Sequence, residues 1–313
     1  MPLLAVNAGP NGPVPHDRPE ELHALLPRLL ATPGPVILMV HGFKYAPGHA
    51  SDCPHRHIFA LVPERHSFKV LSWPAGFGFG EGRAEEGLAI GFGWQARGSV
   101  WQAYAEAARA GESLAELVAM IHAVAPGRAV HAVAHSFGAR VVLSALPHLP
   151  ENALSRIILL AGAEFGTRAA AALATPAGRS AEVINVTSRE NDFFDFLLEC
   201  VIPPPRRGDC SLGQTGPVAS NVLTLRMDDP DTLTALRRLG FPIASPMARV
   251  CHWSAYTRPG VFPLYSSLLR HAPDLQMSFL RSVLPAKAPP QRSRRLIVPA
   301  LALSLPIGRK PSF

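Results

Sequence analysis

Charge is scarce in this sequence. Asp, Glu, Lys and Arg make up 17% of its 313 residues, against 48% hydrophobic residues. That balance excludes a disordered chain and requires a sizeable core. Acidic residues are missing altogether from one region: residues 286–313 hold Lys287, Arg292, Arg294, Arg295, Arg309 and Lys310 and no acid. The net charge of +7 is mostly a property of that end. The first 285 residues carry 24 basic and 23 acidic groups, which excludes a dispersed nucleic-acid-binding face. Cysteine is sparse as well. Cys53, Cys200, Cys210 and Cys251 have no regular spacing, so reduced thiols are expected, with a Cys200–Cys210 loop bridge only in an exported protein. Long apolar runs are lacking near the termini. Residues 296–307 are broken by Pro299 and Pro306 and fall short of the roughly 20 residues a spanning helix needs. Residues 1–10 lack the basic-then-apolar order of a secretory signal. A cytoplasmic location is the expectation, and no internal repeat is visible.

What is present is an alternation of strand-like and helix-like segments. Residues 3–6, 36–40, 68–72, 129–134, 157–160, 183–186 and 222–225 read as strands. Helical spacing runs through 19–30, 101–124, 137–146, 169–174, 231–239 and 263–270. Solid apolar strands separated by helices predict an α/β fold, a mostly parallel central sheet with helices on both faces. Residues 1–285 are expected to form that domain, and 286–313 a basic, Pro-rich tail. Chemistry in such sheets collects at the C-terminal ends of the strands.

The run His131-Ala132-Val133-Ala134-His135-Ser136-Phe137-Gly138 reads strand, sharp turn, helix, with Ser136 at the apex. Ala134 and Gly138 keep the two crowded flanking positions small, and the turn aims a helix N-terminus at the serine. A serine N-cap is the alternative for such a turn. The pattern resembles the nucleophile elbow of the α/β-hydrolase family, Gly-x-Ser-x-Gly, with Ala134 in place of the first glycine. Val36–Val40 leads into His41-Gly42-Phe43, and in α/β hydrolases a similar His-Gly pair precedes an oxyanion loop. The resemblance implies that the Phe43 and Phe137 N–H groups hold an oxyanion, with His41, Gly42, Trp73 and Trp253 lining the substrate.

The family's chain order is serine, acid, histidine. His148, His252 and His271 follow Ser136. His148 ends a helix about 15 Å long that starts at the elbow, and so lies far from the serine. His271 reads as a helix-end residue. His252, in a loop after the last strand, is the expected base. Asp192, after residues 183–186, fits the family's acid position, with Glu190 and Glu164 as alternatives and a helix N-cap as its other reading. Ser136, His252 and Asp192 would form a triad for acyl transfer to water, which needs no cofactor. The implied partner is a small-molecule acyl substrate, not a nucleic acid, and the tail offers a peripheral membrane contact. An acyltransferase or thioesterase on the same triad, or a non-catalytic binding protein on this scaffold, are the rival readings.

Two further stretches bear on the site. Residues 49–57 bring His49, Asp52, Cys53, His55 and His57 close in sequence, but without the paired spacing of a zinc site. A polar loop shaping the cleft, without metal, is expected there. The Gly/aromatic stretch 77–94 reads as a lid or rim, with Trp73, Trp94, Trp253 and Tyr256 lining it.

Overall fold

The computed structural model describes residues 3–64, 67–215 and 219–285. Eight strands form one sheet: β1 (Leu3–Gly9), β2 (Gly12–Pro15), β3 (Val36–Val40), β4 (Leu88–Gly93), β5 (Val130–His135), β6 (Arg156–Leu160), β7 (Glu182–Thr187) and β8 (Val222–Arg226). Their spatial order is β2-β1-β4-β3-β5-β6-β7-β8, parallel throughout except for the hairpin partner β2. The helices that accompany them are α1 (Leu22–Leu29), α2 (Trp73–Gly76), α3 (Val100–Val124), α4 (Gly138–Ala145), α5 (Gly166–Leu173), α6 (Pro176–Ser180), α7 (Asp192–Val201) and, after β8, α8 (Pro230–Arg238). After β8 and α8 come α9 (Ser254–Thr257), α10 (Val261–Arg270) and α11 (Met277–Val283).

Side-chain alternation along the strands builds two cores. Val36, Leu38 and Val40 of β3 pack with the buried faces of α1, α3, α4 and α5. Ile37 and Met39 of the same strand join the core made with α8, α10 and α11. A central strand covered on both faces must be apolar at every position, and β3 is buried along its whole length. The expected α/β architecture is therefore the observed one.

Two local expectations fail. Residues 68–72 form no strand, and Phe68 there is 66% exposed. The place beside β3 belongs to β4, which lies inside the stretch read as a lid. Gly91 and Gly93 hide β4 in the sequence. Their backbone is approached closely: an added Cβ would stand 2.9 Å from the Phe59 side chain at Gly91 and 2.7 Å from His55 Nε2 at Gly93. Phe77 and Phe79, also assigned to that lid, are buried. So are Trp73, Trp94 and Tyr256, which leaves Trp253 as the rim aromatic of the four.

None of the four cysteines forms a disulfide among the described residues, Cys200 and Cys210 included. Among the described residues no helix is long and apolar enough to cross a membrane. The basic tail, 286–313, lies outside the described residues.

Candidate active site

Ser136 sits between β5 and α4 with φ +56°, a left-handed conformation that a side chain adopts at a cost. The turn is pinned on both sides: Ser136 N–H donates to the Leu160 carbonyl at 3.1 Å, and Ala163 N–H donates to the Ser136 carbonyl at 3.0 Å. The crowding inferred for the flanks is present. A Cβ at Gly138 would lie 2.6 Å from the Val40 carbonyl oxygen and 2.7 Å from that of His41.

The β3 loop closes on the serine from the other side. A Cβ at Gly42 would lie 2.7 Å from Ser136 Cβ, so only glycine permits this approach. The rings of Phe43 and Phe137 meet edge-on at 5.8 Å, which brings their two loops together. Among the described residues neither the Phe43 nor the Phe137 N–H donates to a carbonyl of the fold.

His41 does not line the substrate. It is fully buried, stacked on Trp94 at 5.4 Å. Its Nε2 accepts from the Trp94 N–H at 3.0 Å, so Nδ1 carries the proton and donates to the Gly42 carbonyl at 2.9 Å. Burial lowers its pKa to about 3, and a neutral His41 holds the Gly42 loop in place. Trp73 is likewise core, packed against Phe59, Phe77 and Tyr256. Both side chains are thus packed inside the fold, where a substrate-lining place was expected.

His252 follows β8 and packs against His135, the residue before Ser136. The ring centroids are 4.6 Å apart, and His135 Nε2–H donates to the His252 carbonyl at 2.9 Å. Phe194 of α7 stacks on the other side of His252 at 4.6 Å. Desolvation among these rings, helped by His135 and Lys69, holds the His252 pKa well below the usual imidazole value. His252 is therefore neutral at pH 7. Among the described residues no hydrogen bond joins Ser136 Oγ to His252. Such bonds are often long before substrate binds.

The residue behind His252 is not Asp192. Asn191 Oδ1 lies 2.6 Å from His252 Nδ1. A short 3-10 turn, Arg189–Asn191, leads into α7 and points Asn191 at the histidine. It carries Asp192, one position on, away from it. Asp192 instead accepts from Gln214 Nε2 at 2.9 Å and lies 3.8 Å from Arg189. It is not a helix N-cap either, since Asn191 holds that position without a side-chain capping bond. Glu190 is occupied elsewhere, paired in the interior with Arg258 and accepting from Ser188 Oγ at 3.1 Å. Glu164 lies beneath the elbow, where Tyr104, Arg140 and the Phe165 N–H donate to it. Among the described residues no carboxylate bonds to His252, and an amide stands where the acid was expected.

Behind that amide is a carboxylate. Asn191 Nδ2 donates to Asp195 Oδ1 at 3.2 Å. Asp195 was invisible as a site residue because an Asp in the apolar run of α7 reads as its polar face. The signal was its i,i+4 spacing from Asn191. Burial, first of all, raises the Asp195 pKa to about 6, against the hydrogen bond from Gln214.

Next to His252, Trp253 carries Lys69 Nζ over its ring at 3.5 Å and meets Phe68 edge-on at 5.9 Å. Phe193, 50% exposed, touches Phe194, so the rim runs from α7 across His252 to Phe68. The 49–57 loop is tied down by its own contacts: Arg97 to Asp52, and His55 Nε2 to Asn7 Oδ1 at 2.7 Å. Among the described residues no three or more His, Cys, Asp or Glu side chains group to hold a metal.

Residues 22–163 match the model of a family described as alpha/beta hydrolase of unknown function (DUF900). The matched segment includes His41-Gly42 and Ser136 and ends before Asn191 and His252. No curated protein matches the chain. With its eight-stranded, mostly parallel sheet and its elbow between β5 and α4, the chain is an α/β-hydrolase-fold protein, similar over residues 22–163 to a poorly characterised family of that fold.

Proposed function

We propose that the chain is a serine hydrolase that cleaves an ester-type carbonyl through an acyl-enzyme. The observation that carries this reading is the strained Ser136 apex with Gly42 closed against it. A left-handed serine between a parallel strand and a helix has no structural need to be there, because glycine would fit at lower cost.

Ser136 Oγ attacks the carbonyl carbon while His252 Nε2 takes its proton. The carbonyl oxygen becomes an oxyanion held by the Phe43 and Phe137 N–H groups. His252 returns the proton to the leaving alcohol or thiol, then activates water to release the acid. Asn191 Oδ1 accepts from the imidazole Nδ1–H throughout. The exposed aromatic rim favours an acyl group with an apolar chain. Hydrolysis of p-nitrophenyl esters of increasing chain length tests this. The reading expects a burst of one p-nitrophenol per chain, faster for longer chains and absent in Ser136→Ala. A parent enzyme that releases no p-nitrophenol at any chain length contradicts it.

The amide behind His252 favours a second reading, a binding protein on a hydrolase scaffold. Asn stabilises an imidazolium less than a carboxylate does. That reading expects apolar ligands to bind at the rim unchanged, with no burst.

A further inference from the structure

One ionisable group of the site touches neither the serine nor the histidine. The Asp195 side chain is buried, and the backbone is moulded around it. A Cβ at Gly213 would stand 2.6 Å from Asp195 Oδ2. Its two oxygens receive the Asn191 amide at 3.2 Å and the Gln214 amide at 3.2 Å.

The polarity of this chain of bonds follows from the donors available. An ionised carboxylate can only accept, so it draws the NH2 end of Asn191 toward itself. The oxygen of Asn191 is left facing His252. That oxygen also only accepts, so His252 Nδ1 must carry the proton. The lone pair of the imidazole is then at Nε2, the atom that receives the serine proton.

We propose that Asp195 is a positioning residue of this site, which fixes the tautomer of His252 by orienting Asn191. This rests on the reading of Ser136 and His252 as nucleophile and base. Two side chains then share the task that one carboxylate performs in a Ser-His-Asp triad. The other groups facing Asp195 are Asp192 and Glu199 on α7 and Gln214 and Ser211 from the preceding loop region of β8. His252 is faced by His135 and Lys69. With its raised pKa, Asp195 is ionised at neutral pH and protonated as the pH falls through about 6. Once protonated it no longer dictates which way the amide points.

The test is a swap. Asp195→Asn removes the charge but keeps the shape, and the burst rate at pH 7 is expected to fall about 10²-fold. That is less than the ~10⁴ lost with a carboxylate bonded directly to the histidine. Asn191→Asp alone brings two carboxylates together, so one holds a proton, and its rate is expected to fall too. The double variant Asn191→Asp/Asp195→Asn puts a carboxylate on His252 Nδ1–H and an amide behind it. It is expected to recover at least about 10-fold of the Asp195→Asn loss, a coupling that mere packing does not produce.

A second readout does not depend on catalysis. In 15N spectra of the histidine ring, the parent and the double variant are expected to show His252 as the Nδ1–H tautomer from about pH 6.5 to 8. Asp195→Asn is expected to show a mixture. A folded Asp195→Asn with the parent's rate and tautomer overturns the proposal, as does a folded double variant with the Nε2–H tautomer. Should Asp195→Asn not fold, the parent's own spectra decide: a mixture of tautomers appearing as the pH falls below about 6 bears the proposal out, and an unchanged Nδ1–H tautomer overturns it. If the parent shows the Nδ1–H tautomer and hydrolyses none of the esters, the hydrolase reading fails while the positioning role of Asp195 stands.

Discussion

Ser136 and Gly42 define the site at the scale of single residues. Relieving the left-handed strain should stabilise the fold, so Ser136→Gly is expected to raise stability by about 1 kcal/mol while Ser136→Ala does not. Chemical denaturation of the two variants checks this. A Ser136→Gly protein less stable than the alanine variant contradicts a strained apex. Gly42→Ala pushes the loop after β3 off Ser136, and under the proposed function a misplacement of this size is expected to cost about 10²-fold in burst rate. The serine, the His-Gly pair and His252 were legible because each carries a local signature: small flanks, a strand end, a loop after the last strand. Asn191 was not. Asn191 and Asp192 are adjacent, and which of them faces His252 depends on how a single 3-10 turn enters α7. Residue types favoured the carboxylate, and backbone geometry placed the amide.

Among the elements, the loop after β7 and the loop carrying His252 are tied together. Cys251 N–H donates to the Glu190 carbonyl at 2.8 Å, and the Glu190 side chain pairs with buried Arg258. Arg258 also donates to the Met227 carbonyl, so it joins both loops to the end of β8. Glu190→Ala leaves the guanidinium buried without its partner and is expected to cost about 3–5 kcal/mol, read from urea unfolding. Most strands were readable from their solid apolar runs. β4 was not, because Gly91 and Gly93 serve close contacts with Phe59 and His55 and break the β-rich pattern. Residues 68–72 have that pattern locally but no free place in the sheet. Local propensity registers neither fact.

For the molecule as a whole, acid stability is set largely by buried imidazoles. Burial lowers His41 to about 3 and His131 and His135 to about 4. In the unfolded chain these groups titrate near 6.5, so between there and about 4 the unfolded state binds more protons. The stability they confer is full above pH about 6.5 and is lost as the pH falls toward 4. Asp195, with a raised pKa, opposes this between about 6 and 4, but His16, His55 and His252, whose pKa values burial also lowers, add to the effect of the three imidazoles. The midpoint of urea unfolding is therefore expected to drop steeply from pH 6.5 to 4, and His135→Phe to flatten the drop. An unchanged slope in that variant contradicts the assignment. The charge of the molecule divides as its sequence does, with a nearly neutral body and six basic residues after Pro285. A chain ending at Pro285 is expected to keep the burst and to lose any binding to anionic vesicles, each basic residue near such a surface contributing about 1 kcal/mol.

The central claim is that Ser136 is a nucleophile activated by its place in the fold. Incubation with a serine-reactive fluorophosphonate, followed by peptide mass spectrometry, tests it most directly. One adduct per chain is expected, on the peptide containing Ser136, slowed by prior incubation with a long-chain ester and absent in Ser136→Ala. A folded parent that forms no adduct, or one whose adduct persists in Ser136→Ala, contradicts it.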